Sequence, residues 1–235
     1  MKQYLSLIFT LLTIFGNYYI PILNKANVKD INEDNKLYAQ PAGYTFSIWG
    51  IIYTGLIYVS YRLIVNKSIW NNNILILYIL SCIFNLLWMY LWTKNKIQIS
   101  QIILFLIVIS LSLLWVLNVK SNDKIVQNII MMYISWTVGA SLLNIFIANF
   151  KNTVTNSKII IYILSIVQIL FQVFLYFSNN INYYNQSITF PLVGLWTGIG
   201  ILTNKNKNLG LTKNILPVIS LISSIFHAIK LNFKN

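Results

Sequence analysis

The chain has 235 residues, of which 57% are hydrophobic and only 9% charged, against roughly a quarter charged in ordinary soluble domains. With a mean hydropathy of +0.67, this composition excludes a conventional water-soluble domain and points to an integral membrane protein. The formal charge of +13 does not indicate nucleic acid binding, because Lys and Arg stand in ones, twos and threes between apolar runs and never form a stripe on a soluble face.

Apolar runs close to the length that crosses a bilayer recur at 4–24, 43–65, 74–93, 98–118, 125–149, 159–178, 188–203 and 215–231, the seventh being short. They predict an all-α, polytopic bundle of eight transmembrane helices, placed in the cell membrane. The first run, "YLSLIFTLLTIFGNYYIPIL", follows Lys2 as a signal peptide would, but it is long for such a segment. No small-x-small cleavage pattern follows it closely, so it is read as the first span.

Between the first two spans lies the one long joint, 25–42, "KANVKDINEDNKLYAQPA", holding Asp30, Glu33 and Asp34, three of the four acidic residues. So long a joint among short ones is expected to fold over one mouth of the bundle, with Pro41 setting the start of the second span. The remaining joints are short and Asn-rich, and no soluble stretch is large enough to fold alone. Lys and Arg number ten on the side of the 25–42 loop and seven on the other. The positive-inside rule leans towards a cytoplasmic loop by a margin too narrow to assign orientation.

In the second span Trp49, Tyr53, Leu56 and Ser60 share one helical face, and Gly50 and Gly55 let another helix come close. In the third span Asn85, Trp88 and Trp92 are spaced i, i+3 and i+7. Asn85 lies about halfway through the run, where an unpaired amide costs several kcal/mol, so it must point towards protein or ligand. Cys82, the single cysteine, permits no internal disulfide and reads as a small buried hydrophobe. In the fifth span Tyr133, Trp136, Ala140 and Asn144 again share a face. Tryptophan at span ends belongs to the interfacial belt, but mid-span tryptophan beside asparagine does not fit that explanation. From spacing alone, helix packing is a commoner cause of such faces than a ligand pocket.

Later features carry weaker signals. Pro191 and Pro217, with Gly194, Gly198 and Gly200, fit either a broken transporter helix or the commoner first-turn proline. His227, the only histidine, lies one turn before Lys230 and reads as interfacial rather than as a haem ligand. Leu56, Tyr58 and Arg62 fit the permissive cholesterol-contact pattern. No catalytic triad, zinc-protease, Walker or dinucleotide signature is present, and Asp123 is the only acid outside the first loop. Without paired carboxylates inside the bundle, acid–base chemistry has no obvious carriers.

Segment 41–63, "PAGYTFSIWGIIYTGLIYVSYRL", with "FNLLWMYLW" (84–92) and "YISWTVGASLLN" (133–144), resembles the tryptophan-rich sensory protein family, TspO and the mitochondrial translocator protein. That family's motifs correspond here to Ile48-Trp49 with Ile52-Tyr53, to Phe84-Asn85 with Trp88, and to Tyr133 with Trp136, Ala140, Leu143 and Asn144. The resemblance covers roughly residues 1–150 and departs at Met132, where the family has proline. It implies a five-helix membrane unit over 1–150, with 151–235 adding three further transmembrane helices.

By the same resemblance Trp49, Tyr53, Asn85, Trp88, Tyr133, Trp136, Ala140 and Asn144 are the expected ligand-binding residues. The ligand class is a porphyrin, haem-like, sterol or other aromatic lipophile, with the 25–42 loop as lid, for sensing or transport. A permease subunit for another small molecule and a porphyrin-degrading enzyme are the rival readings. Expected partners are membrane lipid and a small lipophilic ligand, with no nucleic acid; a homodimer is compatible with the sequence.

Overall fold

The computed structural model describes residues 4–26, 35, 37–65, 71–118, 123–177, 187–204 and 207–234. Among them are eight α-helices and no strand: α1 (Tyr4–Leu23), α2 (Ile48–Val65), α3 (Asn72–Thr93), α4 (Ile97–Asn118), α5 (Lys124–Asn149), α6 (Val154–Phe177), α7 (Thr189–Thr203) and α8 (Ile215–Lys234). The all-helical polytopic architecture expected from the apolar runs is therefore present. Seven helical stretches are long and apolar enough to cross a membrane. The fifteen residues of α7 make a helix of about 22 Å, shorter than the hydrocarbon core.

Two boundaries differ from the sequence reading. The stretch 43–65 is not one α-helix: Gly43–Ser47 forms a 3-10 turn that runs into α2. Helix α6 begins at Val154, earlier than the apolar run, because the Thr153 hydroxyl accepts the Asn156 N–H at 3.1 Å and caps the first turn. Asn71 and Asp123 cap α3 and α5 in the same way, accepting from Ile74 at 3.0 Å and Val126 at 3.1 Å.

Helix α3 packs along α4, and α4 along α5. Helix α1 lies on α2 and α3, α2 adjoins α5, and α7 packs on both α5 and α8, with α6 against α8. The inward face of α1 is hydroxylic, with Ser6, Thr10 and Thr13 buried, while Leu12, Phe15 and Ile22 point outwards. In hydrocarbon this is sensible, because lipid tails are as apolar as leucine and helices associate through close packing and hydrogen bonds. Thr10 Oγ1 bonds Ser60 Oγ at 2.7 Å and also the Tyr78 hydroxyl. Further along, Asn17 donates to Asn85 Oδ1 at 2.6 Å and Asn24 donates to Thr93 Oγ1 at 2.7 Å.

The described part of the long loop crosses one end of the bundle. Asn35 donates to Asn95 at 3.2 Å in the α3–α4 joint, and the Tyr38 N–H reaches Asn152 at 3.1 Å in the α5–α6 joint. Asn204, just past α7, donates to the Gln40 carbonyl at 2.7 Å, and the Ala42 N–H donates to the Gly200 carbonyl at 2.9 Å. Leu37 and Ala39 are buried in a cluster with Phe146, Ile161, Leu164, Ile201 and Leu216. This strap sits tightly on α7: a Cβ on Gly200 would lie 3.0 Å from Pro41 Cβ and closer still to Thr45. Residues 27–34 and 36, which include Asp30, Glu33 and Asp34, lie outside the described residues.

Candidate functional site

Beneath the strap, the first turn of α2, the last turns of α3 and the middle of α5 bring aromatic rings together. Trp49 is the hub. Its ring stacks on Tyr53 (centroids 5.4 Å apart) and on Trp88 (5.9 Å), and meets Tyr133 (5.8 Å) and Trp136 (6.3 Å) edge to face. Such offset and T-shaped arrangements follow from the ring quadrupoles. Trp88 continues the row to Trp92 at 6.3 Å.

Asn85 lies under this cluster with no exposed surface. Its Nδ2 donates to the Tyr133 hydroxyl at 2.7 Å, and its Oδ1 accepts from Asn17 at 2.6 Å. The inward direction expected from the cost of an unpaired amide is present, and the partners are protein groups on α1 and α5. The indole N–H of Trp88 is different: it is enclosed, yet it has no hydrogen-bond partner among the described residues.

Of the eight expected residues, Trp49, Tyr53, Asn85, Trp88, Tyr133 and Trp136 meet in one place. Ala140 packs, half-buried, against the same core. Asn144 stands apart: two turns beyond Trp136, it donates to Ser100 Oγ of α4 at 3.0 Å. Two residues that sequence reasoning passed over complete the setting. Phe46, in the 3-10 turn, meets Trp136 edge to face at 5.7 Å. Trp196 of α7 donates its indole N–H to the Thr45 carbonyl at 2.9 Å and meets Tyr44 at 5.5 Å. The run "GLWTG" was its signal, a large ring among glycines in mid-span.

On the outer side of the α2–α5 seam, Gly50, Ile51, Thr54, Gly55, Tyr58, Ile129 and Met132 line an open, mostly apolar groove of about 420 Å³. That volume falls within the range of small-molecule sites. The missing side chain of Gly50 leaves open space there, whereas Gly55 lets Ile129 of α5 pack close against α2, and Met132 supplies part of the wall. The cholesterol-contact pattern is divided by the fold. Leu56 is buried and Tyr58 faces the groove, while Arg62 turns to an ion pair with Asp123 at 2.8 Å.

A protein-family model described as TSPO-like protein matches residues 3–231. The chain belongs to the TSPO-like family. The match runs through all eight helices of this TSPO-like protein, beyond the first 150 residues that carry the quoted motifs. No curated protein and no solved structure gives a significant match. Among the described residues no group of three or more His, Cys, Asp or Glu side chains is placed to hold a metal ion. The chemistry on offer at the cluster is stacking, apolar contact and a few neutral hydrogen bonds.

Proposed function

We propose that this integral membrane protein binds a flat, aromatic or tetrapyrrole-like lipophile at the Trp49 cluster, for sensing or transport, and that it works in the cell membrane. The observation that carries the reading is the row of rings around Trp49 with the enclosed, unpaired indole N–H of Trp88 among them. Rigid rings bind a planar ligand at low entropic cost, and a lone donor would orient an acceptor on it. The adjoining groove offers a route from the bilayer, since its wall shares α2 and α5 with the cluster. The strap would act as the lid on the opposite approach.

Protoporphyrin titrated by tryptophan quenching into the full chain in nanodiscs tests this. Trp136→Ala is expected to weaken binding by roughly 1–3 kcal/mol, the worth of a well-buried aromatic contact. Trp115→Phe serves as the comparison, because Trp115 is buried on α4 outside the three motif faces and phenylalanine keeps most of its packing. Thermal melts exclude misfolding. Equal affinity in wild type and Trp136→Ala would mean that these helices keep the rings for packing alone.

A further inference from the structure

We propose that α6, α7 and α8 enclose a second binding site, centred on the Gln168 and Gln172 carboxamides, for the neutral hydroxyl-bearing head of a membrane-soluble molecule. Gln168 and Gln172 stand one turn apart on the buried face of α6, 4% and 8% exposed. Ser220, Ser223 and His227 form the buried face of α8, at i, i+3 and i+7. The two faces meet across α7: the Gln168 amide and the Ser220 hydroxyl both occupy the space that a Cβ on Gly194 would need. The Lys230 ammonium over the Tyr176 ring, 4.1 Å from its centroid, fixes the register further along. In that register Gln172 stands opposite the turn of α8 between Ser223 and His227.

Among the described residues, the two glutamines and Ser220 keep polar atoms without partners. Neither the oxygen nor the nitrogen of the Gln172 carboxamide has a hydrogen-bond partner among the described residues, and the Gln168 Oε1 and the Ser220 Oγ have none either. Gln168 Nε2 makes one long bond, 3.4 Å, to the Phe190 carbonyl. Four unmet polar atoms in one seam between membrane helices are expensive, and a bundle that needed only packing would have leucine there. The complement is set by the inventory of donors and acceptors. Gln172 offers two N–H donors and an acceptor, Gln168 an acceptor, and Ser220 both, so the guest must donate and accept. A hydroxyl does both. Among the described residues no acidic side chain lines the seam, and Lys230 is turned to Tyr176, which favours a neutral guest. Exposed Ile169, Val173, Leu221 and Ile225 on the same two helices suit acyl chains beside it.

The full chain in phosphatidylcholine nanodiscs, with radiolabelled dioctanoylglycerol and radiolabelled glycerol as probes, tests the site and its source. Saturable binding of dioctanoylglycerol alone assigns the guest to the bilayer, and binding of glycerol as well assigns it to the polar head, whatever its origin. In either case Gln172→Leu is expected to weaken binding about tenfold, the equivalent of one charge-neutral buried hydrogen bond, and the Gln168→Leu/Gln172→Leu double variant to abolish it with the melting temperature preserved or raised. Trp136→Ala should leave this binding unchanged, which separates it from the aromatic cluster. Absence of saturable binding for both probes, or equal binding by the double variant, would overturn the proposal and leave the seam as a water-filled joint.

Discussion

The Asn85 amide and the Tyr133 hydroxyl meet at 2.7 Å at a depth where neither has access to solvent. Removing one partner strands the other, and a stranded buried group costs about 1–3 kcal/mol. Tyr133→Phe is therefore expected to destabilise the protein by that amount, read as a shift in denaturant midpoint in nanodiscs. The Asn85→Leu/Tyr133→Phe double variant should lose less than the sum of the two single variants, and strict additivity would show that the pair does not interact.

The strap makes a second prediction through Gly200. Alanine there would drive its Cβ into Thr45 and Pro41, so Gly200→Ala should detach residues 41–45 from α7 and break the Ala42–Gly200 hydrogen bond. Faster amide exchange at Ala42 is the expected readout. Gly50→Ala is the control, because nothing lies within 4 Å of its added Cβ, and it should change stability by no more than about 0.5 kcal/mol.

If the strap is the lid, deleting 27–36 should speed release of bound protoporphyrin while leaving the aromatic cluster intact. Stopped-flow displacement reports this directly. An unchanged off-rate would remove the lid role and leave the strap as a structural tie across the helix ends.

Arg62 and Asp123 allow the ion pair to be separated from the helix cap. Asp123 accepts from the Val126 N–H while holding Arg62. Asp123→Asn keeps a capping oxygen and loses the charge, so its cost should be of order 1 kcal/mol for a partly exposed pair. Asp123→Ala should lose about 1 kcal/mol more, the usual worth of a cap. Identical unfolding midpoints for the two variants would mean that the cap contributes nothing.

Much of this architecture was legible in the chain because lipid demands continuous apolar runs, and polar joints mark their ends. The start of α6 was not, since "TVTNSK" has the composition of a joint and only the Thr153 cap makes it helix. Within the site, the position of Asn85 in mid-span forced its inward direction, whereas Asn144 shares a face with Trp136 yet turns to Ser100, a partner on another helix that no spacing within α5 reveals. The seam at Gln168 and Gln172 was visible as two amides at i, i+4 in the apolar run "SIVQILFQVFLYF", but its significance depends on which helix lies opposite. His227, expected at the interface from its place near a helix end, is fully enclosed by protein. The distance along a helix does not tell which side of it is covered.

The bonds between α1 and α3 imply a discrete choice of height. Thr10 with Tyr78, Asn17 with Asn85 and Asn24 with Thr93 are rungs spaced by seven residues on α1 and by seven and eight on α3, so the two parallel helices match like the teeth of a rack. A slip of one turn breaks all three rungs together, since it moves Asn85 and Thr93 away from Asn17 and Asn24. A slip of a whole heptad would bring Thr10 to Asn85 and Asn17 to Thr93, but it displaces α1 by about 10 Å, which drags one of its ends out of the hydrocarbon. The vertical position of the first helix is thus quantised, with the bilayer choosing among the notches that the hydroxyls and amides cut.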